Sequence, residues 1–250
     1  MPTDASAANA PADERRILIS IATYNEIENL PAIIEKIWQV APRADIVVID
    51  DDSPDGTGRW CDEKASGEPR LRCVHRPSKL GLGSAILAAM QYATEHDYDY
   101  LLNMDADFSH HPRYIPALLE VMHSADVAIG SRYCHGGTTK DWPATRKLMS
   151  RAVNAYARWL LWLQPKDTSG GFRCYRVALL QSLAPQAVLS RGYSFQMEVL
   201  WRLKRLGARL AETPIEFADR ERGQSKISKQ EALSALWIIF RLGITHWIGL

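Results

Sequence analysis

The sequence predicts an α/β fold with a mostly parallel sheet flanked by helices. Apolar, strand-like runs alternate with segments of helical periodicity, and polar residues cluster directly after the apolar runs. A chain of 250 residues with 46% apolar and 24% charged residues can bury one sizeable core. Ligands of such sheets bind beyond the carboxyl ends of the strands, so the polar clusters contain the candidate binding residues.

The first third of the chain contains a strand, a helix and a second strand. The run ILISIAT follows Arg16 and predicts a strand. The next segment predicts a helix because apolar residues recur at helical spacing, at Leu30, Ile33, Ile34, Ile37 and Trp38. The run ADIVVIDDD then predicts a second strand that ends in carboxylates before a Pro-Asp-Gly turn.

The same units continue downstream. A strand is predicted at 71–75, and an Ala-rich helix begins at Gly81 and Gly83. We expect these glycines to allow close helix packing, because they complete neither a dinucleotide-binding nor a P-loop motif. The strand YDYLLNMDAD, a helix near 114–122 and the strand ADVAIGSRY complete the pattern.

Composition and charge exclude several classes of protein. The net charge of +1 provides no overall basic field for binding nucleic acid. The four cysteines form no CxxC pair and no cluster with histidines, which argues against a zinc site or a disulfide framework. Residues 1–15 contain no apolar signal segment and are predicted to form a disordered tail.

Asp105 and Asp107 follow an apolar strand and predict a metal site. In an extended chain, residues i and i+2 point to the same side, so the two carboxylates can share one cation. Hard oxygen ligands suit Mg²⁺ or Mn²⁺, which in turn bind phosphates. Ser109 can supply a third oxygen, directly or through water.

Two sets of basic and hydroxyl residues predict two anion sites. The first lies on one face of a helix predicted over about 144–163, at Arg146, Ser150, Asn154 and Arg158. The opposite face is apolar and can contact lipid or core; it carries Leu148, Ala152, Tyr156, Trp159 and Leu163. The second set lies in a Gly-containing loop, at Arg220, Arg222, Ser225 and Lys226.

The C-terminal segment 229–250 predicts a helix at a membrane interface or against a partner. Its apolar part would be roughly 24 Å long as a helix, short of the roughly 30 Å hydrocarbon core. The alternative is a buried core helix. Trp159, Trp162, Trp237 and Trp247 lie in the two amphipathic or apolar segments, where an aromatic ring suits a bilayer interface.

These motifs give the chain a resemblance to a known family. ATYNE, DDDSPDGT, KLGLGSA, MDADFSHHP, GSRY, SRAVN, DTSGGFRCYR, GYSFQMEVL and DRERGQSK occur in the order found in family 2 glycosyltransferases with the Rossmann-like GT-A fold. Among these, the chain is most similar to the polyprenol-phosphate (dolichol-phosphate) mannose synthases. The resemblance covers about 17–228 and implies a glycosyltransferase domain over 16–228. Two departures are Ala22 in place of a usual proline and Asp52 in place of a usual glycine.

The resemblance implies a role for each matching residue. The residues expected to bind the donor are Ala22, Tyr24, Glu26, Ile49, Asp51, Asp105, Ala106, Asp107, Arg132, Arg220 and Lys226. Those expected at the acceptor phosphate are Arg132, Arg146 and Ser150. The expected metal ligands are Asp105, Asp107 and Ser109, and the expected catalytic residues are Asp107, Arg132 and Lys226.

The implied reaction is an inverting transfer of mannose from GDP-mannose to polyprenyl (dolichyl) phosphate. A lipid phosphomonoester is already an anion at pH 7, so it needs no dedicated general base. The implied partners are the membrane surface and, as in some members, a small membrane subunit. The implied location is the cytoplasmic side of a membrane, with peripheral attachment.

Three other functions remain open at this point. The first is a sister enzyme that transfers glucose or an amino-sugar to polyprenyl phosphate. The second, a processive polysaccharide synthase, is disfavoured because the chain has neither a QxxRW motif nor multiple spans. The third is a catalytically silent subunit that binds a nucleotide sugar.

Overall fold

The computed structural model describes residues 15–183, 188–190, 192, 194–218 and 229–247, with side chains for 236–245 in the last range. The elements are β1 (Ile17–Thr23), α1 (Leu30–Val40), β2 (Asp45–Asp50), α2 (Thr57–Gly67), β3 (Leu71–His75), α3 (Leu82–Glu95), β4 (Tyr100–Asp105), α4 (Ile115–Val121), β5 (Val127–Ser131), β6 (Thr138–Thr139), α5 (Ala144–Leu161), β7 (Arg173–Arg176), α6 (Val177–Leu180), α7 (Phe195–Arg205), β8 (Leu210–Pro214), β9 (Glu216–Phe217) and α8 (Lys229–Trp247). The tail predicted at 1–15 lies outside the described residues except for Arg15.

The main sheet has seven strands in the order β3-β2-β1-β4-β7-β5-β8. Every pairing in it is parallel except those of β7, which is antiparallel to both β4 and β5. The predicted mostly parallel α/β fold is therefore confirmed. Strand β7 is not predictable from the sequence, because its four residues, RCYR, show no apolar run.

Side chains of the parallel strands alternate between two cores. In β1, Ile19 and Ile21 pack on the face covered by α1, whereas Leu18 packs on the face covered by α3. Helix α1 forms because Leu30, Ile33, Ile34 and Ile37 lie on one face and are buried there. Burying each of these side chains stabilises the fold by roughly 1.5–3 kcal/mol.

Gly81 corrects the expectation about close helix packing. Its φ of +90° lies in the region that favours glycine, and a Cβ placed there would meet nothing within 4 Å. Backbone conformation, rather than contact between helices, therefore requires glycine at the start of α3. Two backbone N–H groups of this turn, those of Leu80 and Gly81, donate to Asp51 Oδ2 at 3.1 Å each.

Helix α5 turns its predicted polar face toward the protein. Asn154 is 2% exposed, whereas Leu148 and Trp159 are 71% and 69% exposed. The sequence left core and lipid open as the environment of the apolar face. Because Leu148 and Trp159 are exposed, the core is excluded for these two side chains. A basic face turned to solvent is likewise wrong for Asn154, because its amide is used within the fold.

Helix α8 packs against α5 and is partly buried. Ile239 and Leu242 belong to the core, and a Cβ on Gly243 would lie 3.1 Å from Leu160. Trp237 is 64% exposed on the same helix. The helix therefore combines a core face with an exposed aromatic face. The side chain of Trp247 lies outside the described residues.

Candidate active site

The carboxyl ends of three adjacent strands form the floor of the candidate site. In the sheet register, Ala22 of β1 is paired with Ile49 of β2 and with Asp105 of β4. All three residues line one cavity on the α3 side of the sheet. The structure thus brings together three of the residues expected to bind the donor. Ala106, the next residue of that set, is buried directly after β4.

The loop after β1 brings Tyr24 and Glu26 to the same end of the sheet. The Lys79 ammonium lies 3.9 Å from the centroid of the exposed Tyr24 ring. Glu26 accepts a hydrogen bond from the Asn29 amide at 2.9 Å. Asp51 is buried and forms an ion pair with Arg76, so its carboxylate also fixes the turn before α3.

The sequence predicts that 105–107 is extended, but in the structure this segment is not one extended strand. Strand β4 ends at Asp105, and 106–110 bend, with φ of 61° at Phe108. Asp107 Oδ1 accepts hydrogen bonds from the Ser109 N–H at 3.1 Å and the Ser109 hydroxyl at 2.6 Å. The assumed extended geometry is therefore wrong, because Ser109 draws Asp107 into the bend. The metal role of these residues stays a prediction.

The buried His110 ring stabilises this bend through a hydrogen bond to the backbone of Asp105. Its Nδ1 accepts the Asp105 N–H at 3.1 Å and lies 3.5 Å from the Asp105 carboxylate. The ring is buried, stacked on Phe172 with centroids 5.0 Å apart and edge-on to Phe217 at 5.4 Å. This nitrogen is therefore used to fix the backbone of Asp105, whose own side chain remains 28% exposed.

Arg132 is buried and held by a two-pronged ion pair. Its Nε and Nη2 each donate to the Asp167 carboxylate at 2.7 Å, and Nη2 also donates to Ser169 Oγ at 2.7 Å. Burial alone would raise the pKa of Asp167, but the Arg132 charge and hydrogen bonds hold that pKa below its usual range. Burial would likewise lower the pKa of Arg132, yet its pairing with Asp167 raises that pKa.

Trp142 and Tyr133 join the residues expected at the acceptor phosphate. The guanidinium carbons of Arg146 and Arg132 lie 3.9 Å and 5.5 Å from the Trp142 ring centroid. The Tyr133 hydroxyl donates to Ser150 Oγ at 2.6 Å. The structure therefore gathers two arginines and a hydroxyl around this pair of aromatic rings.

The loop 166–170, which carries Asp167, is fixed from two sides. Asn154 of α5 accepts at Oδ1 from the N–H (2.7 Å) and hydroxyl (2.9 Å) of Thr168 and from the N–H of Ser169 (3.2 Å). Glu212 of β8 accepts from the first two backbone N–H groups of the loop at 2.8 and 2.9 Å. The helix that carries Ser150 is thus coupled to the loop that holds Arg132.

Arg173 places a second buried positive charge beside this loop. It is fully buried and donates to the backbone carbonyls of Gln196 and Thr168 at 2.7 Å each. Burial lowers the pKa of Arg173, yet an arginine stays charged at neutral pH. Its charge favours anions at this end of the sheet.

Sequence reasoning missed four residues of this region, namely Trp142, Asp167, Arg173 and Gln196. Three of them lie in quoted motifs, Asp167 and Arg173 in DTSGGFRCYR and Gln196 in GYSFQMEVL. The charged or amide side chain inside each motif was the signal that could have identified them as site residues. The predicted phosphate residues of the second set, Arg220, Arg222, Ser225 and Lys226, lie outside the described residues.

A separate cluster corrects the expectation that no cysteine lies near a histidine. One ligand atom each of Asp62, Cys73 and His75 lie within 4.8 Å of one another between α2 and β3. The His75 Nε2 lies 3.0 Å from the Asp62 carboxylate, and that hydrogen bond raises the pKa of His75. The cysteines of the chain are free, as expected.

The family of the chain follows from comparison with known proteins. Residues 18–184 match the family model described as glycosyl transferase family 2. The chain belongs to glycosyl transferase family 2. It is 42% identical over 236 residues to the undecaprenyl-phosphate mannosyltransferase of Micrococcus luteus, covering 94% of this chain and 97% of that protein. It is also 42% identical over 232 residues to the polyprenol monophosphomannose synthase of Mycolicibacterium smegmatis, covering 92% and 88%.

Solved structures that are similar to this family 2 enzyme have the same GT-A fold. One is glucosyl-3-phosphoglycerate synthase from Mycobacterium tuberculosis with Mn²⁺, UDP and glucosyl-3-phosphoglycerate. It has a TM-score of 0.64 and 19% identity, covering 95% of this chain and 81% of that one. The same enzyme with Mn²⁺, UDP-glucose and glycerol 3-phosphate also gives a TM-score of 0.64, at 19% identity over 95% and 82%.

No helix among the described residues is both long and apolar enough to cross a membrane. The exposed apolar side chains of α5 instead form a stripe along one side of that helix. Its members recur at intervals of four and three residues, at Leu148, Ala152, Ala155 and Trp159, and the stripe ends at Trp162, the residue directly after the helix.

Proposed function

We propose that this glycosyltransferase transfers mannose from GDP-mannose to polyprenyl phosphate. The observation that carries the proposal is the grouping of Arg132, Arg146 and Ser150 beside the Asp105 end of the sheet. Two relatives of 42% identity, which align over nearly the whole chain, are named for mannose transfer to a polyprenyl phosphate. The donor assignment rests on the motif resemblance.

The donor is placed over the carboxyl ends of β1, β2 and β4. Ala22 and Ile49 face the nucleoside, with Tyr24, Glu26 and Asp51 around it. Arg132, with Arg220 and Lys226 of the predicted phosphate loop, binds the donor phosphates. The lipid phosphate binds at Arg132, Arg146 and Ser150 (these three form the acceptor set).

A divalent metal fits the oxygen donors beside β4. Asp105 is partly exposed, Asp107 carries a second carboxylate, and Ser109 adds a hydroxyl, which together suit Mg²⁺ or Mn²⁺. His110 Nδ1 is occupied by a backbone N–H and adds no softer ligand. When bound, the cation neutralises charge on the donor diphosphate and on the departing GDP.

The reaction is a single displacement with inversion at the anomeric carbon. A phosphate oxygen of the acceptor attacks that carbon while the bond to GDP breaks, so no covalent intermediate forms on the protein. The acceptor oxygen is already anionic, so no side chain removes a proton. Arg132 and Arg146 contribute by holding two anions in line, which otherwise repel each other.

The exposed aromatic residues of α5 and α8 support attachment to a membrane surface. Trp159, Trp162 and Trp237 are 69%, 58% and 64% exposed, and tryptophan suits the interface between water and lipid. α5 also carries Arg146 and Ser150, so attachment there brings the headgroup of a polyprenyl phosphate to the acceptor set. The peripheral location and any small membrane subunit belong to this proposal.

The test is transfer of labelled mannose from GDP-mannose to polyprenyl phosphate with Mg²⁺ present. The Asp107→Ala variant is expected to lose transfer by about a hundredfold or more, because developing charge on GDP is no longer neutralised. Asp126→Ala is the matched control, since Asp126 pairs with Arg176 and Arg209 at the other end of β5. Near-normal turnover of Asp107→Ala with Mg²⁺ would contradict the metal role.

A further inference from the structure

Two buried side-chain amides face the cavity that Asp105 lines. Asn103 is 3% exposed and Gln196 is 6% exposed, and both line this cavity. Within the part of the chain that the structure describes, Asn103 Nδ2 and Gln196 Nε2 have no hydrogen-bond partner. Buried donors are nearly always paired, so these two amides can donate to one oxygen that enters the cavity, which has room for about one hydroxyl-sized group.

Gln196 is held so that its NH₂ group faces the cavity. Its backbone carbonyl accepts from Arg173 at 2.7 Å, and its side-chain oxygen accepts from the Tyr175 hydroxyl at 3.5 Å. The Nε2 atom lies 3.4 Å from where a Cβ on Gly171 would stand. Gly171 therefore lies beside the amide at van der Waals distance.

Asn103 is fixed in the same way from the opposite side. Its Oδ1 accepts a hydrogen bond from the Ser20 hydroxyl of the neighbouring strand. With its oxygen occupied, the amide presents Nδ2. Because Asn103 lies two residues before Asp105 in β4, both side chains point to the α3 face of the sheet.

The chemistry of the cavity fits a neutral, oxygen-rich group. The amide donors carry no charge, and most of the other lining residues are apolar, among them Leu82, Ala85 and Ile86. A phosphate would call for cations, but Arg132 and Arg146 belong to the acceptor set, and the buried Arg173 guanidinium donates to the backbone carbonyls of Gln196 and Thr168. A sugar hydroxyl accepts hydrogen bonds from amides without needing a counter-charge.

We propose that Gln196, with Asn103, reads a hydroxyl of the transferred sugar and so determines which nucleotide sugar is used. The inference rests on the proposed transfer of a sugar from a nucleotide donor bound at Asp105. A site that hydrogen-bonds one hydroxyl discriminates strongly against a donor lacking it, because the buried amide is then left unpaired.

The test is a double cycle between the side chain and the sugar. The enzyme and its Gln196→Met variant, which keeps the volume but removes the NH₂ group, are assayed with GDP-mannose and with each GDP-deoxymannose lacking one hydroxyl. Wild type is expected to lose about tenfold to a hundredfold in kcat/KM for one deoxy donor. The variant is expected to lose this amount already with GDP-mannose, and nothing further with that deoxy donor.

Three controls separate a sugar-reading role from a structural one. Tyr175→Phe removes the hydrogen bond that orients the amide and should therefore reduce the penalty for the deoxy donor without abolishing it. Gln196→Glu, of the same shape, replaces the NH₂ donor with a carboxylate that accepts from the sugar hydroxyl, so it should retain a penalty that Gln196→Met loses. Affinity for GDP, which lacks the transferred sugar, should stay within about threefold of wild type in all variants.

The outcomes are distinct for the inference and for the proposed function. If each deoxy donor lowers kcat/KM by the same factor in Gln196→Met as in wild type, and GDP binding is normal, Gln196 does not read the sugar. If wild type uses another nucleotide sugar instead of GDP-mannose, the donor proposal fails. The cycle with deoxy forms of that other sugar then still decides the role of Gln196.

Discussion

Arg132 shows how a buried cation is kept ready for anionic ligands. An isolated guanidinium would be costly to bury, and Asp167 compensates with two hydrogen bonds of 2.7 Å. Asp167 is itself supported by the N–H groups of Arg132 and Gly170, each at 3.0 Å. The guanidinium is therefore oriented before substrate binds, which lowers the cost of reorganisation during the reaction.

Asp167→Asn is expected to lower kcat/KM for polyprenyl phosphate by about tenfold to a hundredfold. An asparagine amide turns an N–H toward one Arg132 donor, so the fork opens and the guanidinium shifts. Steady-state kinetics with varied acceptor measures the loss, and thermal unfolding measures the accompanying change in stability.

The same substitution at Asp126 is the control, because this aspartate is also ion-paired, with Arg176 and Arg209, but lies at the amino end of β5. Asp126→Asn should lose stability without losing kcat. Asp167→Asn with kcat/KM within about twofold of wild type would show that Arg132 needs no positioning partner.

Helix α5 combines two tasks on opposite faces. Asn154 on its inner face fixes the loop that carries Asp167, and Ser150 accepts from Tyr133. The outer face presents the apolar stripe. Sequence periodicity placed Leu148, Ala152 and Trp159 on one face, which is exposed, but Leu163, assigned to the same face, is buried in the core. Periodicity also could not tell which face is turned toward the protein. The reason is that buried Asn154 is satisfied by loop residues far along the chain.

Trp159→Glu is expected to weaken binding to phospholipid vesicles by about tenfold or more, because it replaces a large exposed ring with a charge. Transfer to a long-chain acceptor in vesicles should fall in parallel, whereas transfer to a short, water-soluble polyprenyl phosphate should not change. Vesicle co-sedimentation and the two assays measure these effects.

Leu206→Glu is the matched control, since Leu206 is 45% exposed at the end of α7, outside α5 and α8. It should bind vesicles like wild type. Equal vesicle binding by Trp159→Glu and wild type would exclude the α5 stripe as the attachment surface.

At the scale of the whole molecule, one edge of the sheet organises the chemistry. Parallel β1, β2 and β4 bring Ala22, Ile49 and Asp105 into register. Asp105 could be predicted from the strand ends alone, whereas the apolar Ala22 and Ile49 were implied only by the family resemblance. The antiparallel β7 brings Arg173 beside them. Its short RCYR sequence carries no strand signal, so neither its place nor the buried charge could be predicted.

The ion pair of Arg132 and Asp167 marks the other limit of sequence reasoning. The two residues are 35 positions apart, and only the folded sheet and the loop 166–170 bring them together. The resemblance implied Arg132 but no partner for it. The sequence likewise could not single out Gln196 as a site residue. Its proposed role follows from its burial and from the lack of a partner for Nε2 among the described residues, which only the structure shows.

The most direct measurement compares sugar donors in one lipid assay. Purified protein, polyprenyl phosphate and Mg²⁺ are incubated with labelled GDP-mannose or labelled UDP-glucose, and the lipid product is extracted and treated with mild acid. An acid-labile labelled lipid formed from GDP-mannose alone is the predicted result. Label in the lipid from UDP-glucose alone, or binding of GDP-mannose with no labelled lipid, would contradict mannose transfer as the function of this protein.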